Sequence, residues 1–429
     1  MKKQLKLRKQ IILTLCSLCL ATTVSAQDQG EESTPIEKLE QRTETLENAI
    51  KTLQKLKVSG YIQAQYQYGE EDASLKVGSK NESSDKSFNR VGIRRGRIKF
   101  AYEEGIASGV FQLDITEKGV GIKDAYLSIK DPWFKTSSLK AGVFDRPFGN
   151  EISYSSSRRE SPERSTIFQT LFPEERDLGG MLLLQASKTS FWNFLKLEAG
   201  LFSGNGIKQE TDNRKDFIGH LSASKDLGSD IKIGGGFSCY YGGVYQGTEN
   251  VYKMEGKSFV LNSNPDNKGE FAQRKYFGVD AQFSSTNIWG MTQLRAEYLF
   301  GKQPGGKSGS KSPNASSLPV SDTYIRNFNG GYVIVIQDLG KTLPLSAVLK
   351  YDWYDPNTKV SKNEIGQNNT DSGDISQNTF GFGLLWRATN NIRLQAYYEI
   401  NTNEKTENLA DYKDDRKDNV FTMRLQYKF

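Results

Sequence analysis

Apolar and polar residues alternate one by one along most of the chain after Lys57, which is the pattern of β-strands with two different faces. In the final segment, every odd-numbered position from 421 to 429 is apolar and every even-numbered position is polar. We predict sixteen strands of roughly 10 to 14 residues, which begin near Val58, Val91, Ala107, Gly121, Ser138, Leu178, Asn193, Asp216, Asp230, Phe271, Ile288, Phe328, Leu343, Asn378, Asn391 and Asn419.

The connections between these strands alternate in length. Short turns such as 104–105 and 389–390 alternate with long loops such as 70–89 and 247–270, and only the connection near Lys118 breaks the rule. Short turns at one end, long loops at the other and an even strand number are typical of outer-membrane barrels. The mean hydropathy of −0.60 agrees, because only alternate residues of such a strand face lipid. The pattern predicts an all-β fold, a 16-stranded antiparallel transmembrane β-barrel over residues 58–429.

Residues 1–26 have the pattern of a signal peptide. A basic start precedes an apolar run from Ile11 to Ala21, and small residues at 24–26 form a cleavage site. Removal of this segment leaves 52 basic against 51 acidic residues, so net charge does not indicate a nucleic-acid partner. It also leaves Cys239 and His220 as the single cysteine and the single histidine. We therefore expect no metal, no cofactor and no enzyme activity.

Residues 27–57 contain a helical repeat. Apolar positions alternate spacings of three and four, at Ile36, Leu39, Leu46, Ile50 and Leu53, with Thr43 in the same seam. This spacing predicts a periplasmic coiled coil. The alternative is one amphipathic helix that packs on its own domain; we favour self-association, because the barrel offers no helix-covered core.

Residues Asp145–Asp177 form a 33-residue connection without a sustained helical or strand period, named the constriction loop. It carries several aromatic residues, five arginines and seven acidic residues. A loop of this length in a compact domain is usually functional. We expect it to fold into the barrel and narrow a pore.

Three sequence blocks resemble the phosphate-selective porin O and P family. They are RVGIRRGRIKF at 90–100, FQLDI with KDAYLSI at 111–129, and LKAGVFDRPFGNE with ERS and FPEERDLG at 139–179. The third block is the most specific and contains Gly142, Phe144, Pro147, Phe148, Gly149, Arg176, Asp177 and Gly179. The resemblance implies a trimeric porin of a Gram-negative outer membrane, with its third extracellular loop in the lumen.

Basic side chains are the candidates for pore-lining and anion-binding residues, because anion pores are lined by Arg and Lys and Arg pairs well with phosphate. Arg95, Arg97 and Lys99 alternate along one predicted strand, so all three should face the lumen. In the constriction loop the candidates are Arg158, Arg159 and Arg164, whereas Pro147, Phe148, Gly149, Arg176 and Asp177 are expected to brace the loop base. Alternatively, the ladder pairs with lumen acids such as Asp114 and Asp124.

Two further observations limit these assignments. The constriction loop has a balance of −2 from its five basic and seven acidic residues, whereas a dedicated phosphate filter should be locally positive. Residues Gly301–Ser308 match the P-loop pattern, but a Gly/Ser/Pro-rich run follows in place of a helix, which predicts a flexible loop. His220 is interpreted as an ordinary strand residue.

These observations predict a porin through which small hydrophilic solutes diffuse passively, with anion or phosphate preference left open. The expected partners are outer-membrane lipid, two further copies in a homotrimer, and the outer-membrane assembly machinery, which would read the C-terminal Phe429. An outer-membrane binding or tethering barrel is the alternative. A barrel hydrolase is a third hypothesis, poorly supported by a single histidine.

Overall fold

A computed structural model of the chain describes residues 35–83, 85–210, 212–313 and 321–429. Contacts divide the chain into two units, one that ends at Gln54 and one that runs from Lys55 to Phe429. None of the helices in the described residues is long and apolar enough to cross a membrane. The helices are α1 (Pro35–Lys55) and α2 (Thr166–Leu171).

The strands are β1 (Leu56–Gly69), β2 (Phe88–Glu104), β3 (Ala107–Thr116), β4 (Gly119–Lys130), β5 (Ser138–Asp145), β6 (Arg176–Gln185), β7 (Leu195–Phe202), β8 (Asp216–Leu227), β9 (Ile231–Tyr245), β10 (Asn250–Glu255), β11 (Ser258–Ser263), β12 (Phe271–Asn287), β13 (Gly290–Gly305), β14 (Thr323–Asp338), β15 (Leu345–Asp355), β16 (Gln377–Trp386), β17 (Ile392–Asn403) and β18 (Val420–Lys428).

Sixteen of these strands form a closed antiparallel barrel. Each pairs with its neighbour in sequence, except that β9 pairs directly with β12, and β18 closes the ring by pairing with β1 from Tyr61↔Lys428 to Gly69↔Val420. The closure leaves no unpaired sheet edge, which is the requirement for a sheet in contact with lipid. The predicted fold class and strand number are confirmed.

Two loop predictions were wrong in detail. The connection predicted as a single loop at 247–270 contains the hairpin β10–β11, whose Val251 and Lys253 also pair in parallel with Thr323 and Ile325 of β14. The connection predicted at 301–327 is shorter, because β13 continues to Gly305 and β14 already begins at Thr323. The first five residues of the P-loop pattern therefore lie in an antiparallel strand.

Alternation along the strands separates an outer from an inner face. On β18, Met423, Leu425 and Tyr427 are exposed on the outside, whereas Thr422, Arg424 and Gln426 are buried inside the ring. Outward apolar and inward polar side chains are the arrangement of a membrane barrel with an aqueous interior.

A β-bulge interrupts the alternation between β1 and β2. Gln63 pairs with Arg95 but Ala64 pairs with Ile93, so Arg94 is the additional residue. An additional residue bends the strand and changes where its side chains point. Arg94 therefore reaches the lumen beside Arg95, although strict alternation places it on the outer face.

Part of the barrel interior is apolar. Tyr240, Tyr276, Phe328, Tyr332 and Tyr354 point inward from strands β9, β12, β14 and β15 and are nearly fully buried. They belong to one hydrophobic cluster with residues of the constriction loop. One side of the lumen is thus filled by packing, and the polar path is confined to the remainder.

Helix α1 runs from Pro35 to Lys55 within the predicted segment 27–57, and β1 begins directly after it. Residues 27–34 of that segment lie outside the described residues. Ile36, Leu39, Leu46 and Ile50 of the apolar seam are between 52% and 70% exposed in the single chain. Self-association through this seam and a periplasmic location stay predictions. The predicted signal peptide, 1–26, lies outside the described residues.

Candidate pore constriction

The constriction loop lies within the ring of strands. Its side chains and backbone groups hydrogen-bond with inward-facing residues of seven strands, namely Tyr61, Gln63, Arg95, Arg97, Ser238, Arg295, Glu297, Asp352, Gln395, Arg424 and Gln426. A loop fixed at so many points has little freedom to leave the lumen.

The first turn of the loop holds a carboxylate of β13. The backbone N–H groups of Asn150 and Glu151 donate to the Glu297 carboxylate at 3.1 and 2.6 Å, and the Tyr332 hydroxyl donates to it at 2.7 Å. Gly149 has φ +61° and donates its N–H to Ser238 Oγ at 2.8 Å. A Cβ on Gly149 would overlap the Glu297 carboxylate and force it to shift, and the positive φ also favours glycine here.

The middle of the loop is held by Glu163. Its carboxylate accepts hydrogen bonds from Arg94 at 2.8 Å, from Arg95 at 2.9 Å and from Arg424 at 2.8 Å. Burial opposes the charged carboxylate, but these three guanidinium groups outweigh it and hold the pKa of Glu163 well below its ordinary value. Glu163 therefore remains an anion that neutralises part of the arginine ladder.

The end of the loop is held by a second group of ion pairs. Glu175 pairs with Arg164 of the same loop, with Lys123 of β4 at 2.6 Å and with Arg176 at 3.2 Å. Burial opposes its charge, but these cations keep the pKa of Glu175 well below its ordinary value. At the base, Arg146 pairs with Asp177 at 3.0 Å, and both are almost fully buried.

Helix α2 and the aromatic residues around it attach the loop to the apolar side of the lumen. Phe168 and Phe172 stack with a centroid distance of 5.9 Å, and Phe172 contacts Tyr240 and Tyr276 of the barrel at 6.0 and 5.8 Å. Phe148 lies 4.9 Å from Phe172. Such aromatic pairs add to the free energy gained by burying their apolar area. The aromatic contacts of the loop are thus made with β9, β12 and β14, whereas the arginines that bind Glu163 lie on β2 and β18.

A second connection also enters the lumen. The Ser312 N–H donates to the Thr170 carbonyl at the end of α2 at 2.9 Å, and Arg274 of β12 donates to the Pro313 carbonyl at 2.7 Å. Ser312, in a segment predicted as part of a flexible loop, therefore contacts the constriction loop. No apolar period in this Gly/Ser/Pro-rich segment indicates the contact.

The predicted ladder on β2 makes three different sets of contacts. Arg95 is 3% exposed and binds Glu163, and Arg97 contacts Asp114 at 3.2 Å and Ser156 Oγ at 3.0 Å. Lys99 lines a cavity near the short-turn end of the barrel. The alternative pairing with Asp114 is therefore present for Arg97, whereas Asp124 pairs with Arg176 at 2.9 Å.

The three predicted arginines of the loop also differ. Arg158 is exposed, with its guanidinium 5.5 Å from the Tyr154 ring centroid. Arg164 donates to the backbone carbonyls of Glu151 and Ile152 at 2.9 and 2.8 Å. Arg159 is 2% exposed, and none of its three side-chain nitrogens has a hydrogen-bond partner among the described residues. Burial and the charges of Arg164 and Arg95 lower the pKa of Arg159 well below its ordinary value.

Three adjoining cavities follow the charged side of the constriction loop. The loop-side cavity has about 300 Å³, the middle cavity about 270 Å³ and the turn-side cavity about 240 Å³. Arg164 lines all three, and Arg97 lines the middle and the turn-side cavities. Arg97 and Arg164 therefore lie at the junctions between adjoining cavities.

Charge differs between the cavities. The middle cavity is lined by six basic and four acidic residues and the turn-side cavity by five basic and two acidic residues. The loop-side cavity has three basic and four acidic residues. The negative balance of the loop sequence is thus reversed where Arg94, Arg95, Arg97 and Lys123 of the barrel face it. Sequence counts over the loop alone missed these wall residues.

The fold is that of the outer-membrane porin barrels. OmpF of Salmonella typhi, in complex with daunomycin, superposes with a TM-score of 0.51 at 12% identity, covering 87% of this chain and 97% of that one. OprB of Pseudomonas putida gives 0.51 at 10% identity over 91% and 96%, and the trimer form of OmpT, an outer membrane protein of Vibrio cholerae, gives 0.50 at 10% over 87% and 99%. At these identities the likeness defines the fold alone. No protein-family model and no curated protein matches the chain, so membership of the phosphate-selective porin O and P family stays a prediction.

Proposed function

We propose that this protein is an outer-membrane porin, a passive channel for small hydrophilic solutes that prefers anions. The observation that carries the proposal is the position of Arg97 and Arg164 at the junctions between the lumen cavities. A solute on this path passes both guanidinium groups at close range, where little water screens their charge. Because the barrel neutralises the loop acids, the net charge at this point is positive.

The outer surface supports a location in the membrane. Trp133, Trp192 and Trp289 lie in turns at the short-turn end and are 81%, 59% and 70% exposed. Aromatic residues at the ends of an apolar band are typical of membrane–water interfaces. The proposal includes a Gram-negative outer membrane, a periplasmic α1, a homotrimer and recognition of Phe429 during assembly.

The reversal potential in a KCl gradient across a planar bilayer tests the proposal. The native protein should be anion-selective, Arg97→Gln should shift the reversal potential towards zero, and Arg97→Lys should retain most of the native value because it keeps the charge. Lys118→Gln is the matched control, since Lys118 is exposed in the turn between β3 and β4 and lines none of the three cavities. Cation selectivity of the native protein, or an unchanged Arg97→Gln variant, would contradict the anion preference.

A further inference from the structure

The loop-side cavity differs from the rest of the lumen in its chemistry. Besides its seven charged residues, most of its lining residues carry neutral amides or hydroxyls, contributed by β16, β17, the constriction loop and the loop between β1 and β2. Its volume of about 300 Å³ lies at the lower end of the range for small-molecule sites, roughly 300–1,000 Å³.

Several groups in this cavity have unused hydrogen-bonding capacity. Among the described residues, no hydrogen bond or ion pair engages the side chains of Lys76, Gln377, Glu399 and Asp418 or the Thr170 hydroxyl, and the Gln169 side-chain oxygen accepts none. Glu399, Asp418 and the Gln169 oxygen are acceptors, whereas the Lys76 ammonium and the Gln377 amide are donors and the Thr170 hydroxyl can do both.

This mixture indicates the class of ligand. A phosphate or another simple anion needs donors on every side, whereas this cavity presents carboxyl and amide acceptors beside its donors. A sugar hydroxyl both donates and accepts, so a sugar ring satisfies acceptors and donors placed around one cavity. The slightly negative balance of the cavity also favours a neutral ligand over an anion.

We propose that the loop-side cavity is a binding site for a neutral sugar. Glu399 accepts hydrogen bonds from ring hydroxyls, Lys76 donates to them, and Gln169, Thr170 and Gln377 bind the others. Two neighbouring side chains are already fixed, because the Thr379 hydroxyl donates to the Asn401 side-chain oxygen at 2.9 Å and Asn401 donates to the Asp418 carbonyl at 2.8 Å. Part of the cavity lining is therefore held in place before a ligand binds. The inference rests on the proposed function in one respect, namely that the sugar enters as a solute of the channel.

Isothermal titration calorimetry tests this site. The full-length protein in detergent micelles is titrated with glucose, galactose, mannose, xylose and inorganic phosphate. We expect at least one sugar to bind. The substitutions Glu399→Gln and Lys76→Met should each lower the affinity for that sugar at least tenfold. Glu82→Gln is the matched control, because Glu82 is exposed in the same loop as Lys76 and does not line the cavity. Shifted mobility of unheated samples in SDS gels reports whether each variant has folded.

Binding of none of the four sugars, binding of phosphate alone, or native sugar affinity in a folded Glu399→Gln variant would overturn the inference. Conductance of the same preparation separates the two proposals. A conducting protein that binds no sugar refutes this site and leaves the channel standing, whereas sugar binding without conductance refutes the channel and leaves the site standing.

Discussion

Arg424 of the last strand donates to the Glu163 carboxylate of the constriction loop at 2.8 Å, although 261 positions separate the two residues in the chain. The same carboxylate binds Arg94 and Arg95 of β2. Because β18, β1 and β2 are adjacent only after the barrel has closed, this site forms only in the finished ring. Closure of the barrel and placement of the loop are thus physically linked.

Replacing Glu163 by Gln should release the middle of the constriction loop. The variant leaves two buried guanidinium groups, Arg95 and Arg424, and the half-buried Arg94 without their shared anion. Loss of one partner of a buried ion pair typically costs about 3–5 kcal/mol. We expect a larger and noisier single-channel conductance, with stronger anion selectivity because a negative charge is lost.

Glu174→Gln provides the control for Glu163, since Glu174 is exposed in the same loop and forms no ion pair among the described residues. Single-channel recording and limited proteolysis of the loop report the effect. Equal behaviour of the two variants would mean that Glu163 does not hold the loop.

Gly149→Ala should displace the first turn of the constriction loop. The alanine Cβ would overlap the Glu297 carboxylate and adopt a left-handed backbone, whereas Gly105→Ala at φ +59° meets no atom within 4 Å. The Gly105 variant therefore measures backbone strain alone, roughly 1–2 kcal/mol. Urea titration in lipid vesicles should give a larger loss of stability for Gly149→Ala, together with altered conductance that Gly105→Ala lacks.

The loop should stay in place at neutral pH and loosen only in acid. The folded-state pKa values of Glu163 and Glu175 lie below the ordinary value of about 4.3, so their stabilisation is complete above that pH and is lost as pH falls through the folded-state pKa. We expect no rise in open-channel noise between pH 7 and pH 5 and a rise in noise below about pH 4.

A separate carboxyl requires a control in this pH series. Burial raises the pKa of Asp418, in the loop before β18, to about 6, so its titration changes the charge of the loop-side cavity near that pH. The series should be repeated with Asp418→Asn and with Glu399→Gln, because Glu399 also lines this cavity. A rise in noise between pH 5 and pH 7 that survives in the double variant would contradict the conclusion that Glu163 and Glu175 hold the constriction loop.

The tryptophans should report contact with the membrane interface. Trp133, Trp192, Trp289 and Trp386 lie at the short-turn end and Trp353 near the long-loop end, and all are on the outer surface or in its turns. In vesicles we expect blue-shifted emission that is quenched more strongly by lipids brominated near the headgroup than near the acyl-chain ends. Quenching by aqueous iodide comparable with that of free tryptophan would contradict membrane insertion.

Strand number, strand order and the alternation of faces could be read from the sequence because period-two patterning survives in each strand separately. The inward position of Arg94 could not be predicted from the sequence. A bulge shifts the register by one residue, and a one-residue shift moves a side chain to the other face. The bulge is evident only from the residue pairing between β1 and β2.

The apolar half of the lumen was also beyond the sequence argument. Tyr240, Tyr276 and Tyr332 carry hydroxyls and occupy inward positions, so they read as polar lumen residues. Their burial depends on Phe168 and Phe172, which pack against them only because the loop folds inward. Likewise, the charge balance of −2 was counted over the constriction loop alone. The basic residues that face this loop lie on strands that are distant from it in the sequence.

Single-channel recording of the purified protein in a planar bilayer tests the central claim most directly. If a water-filled path runs past Arg97 and Arg164, insertion should give discrete current steps whose size grows with KCl concentration and falls when Arg97 is replaced by Trp. Folded, inserted protein that gives no current steps, or steps that Arg97→Trp leaves unchanged, would contradict a solute path at this junction.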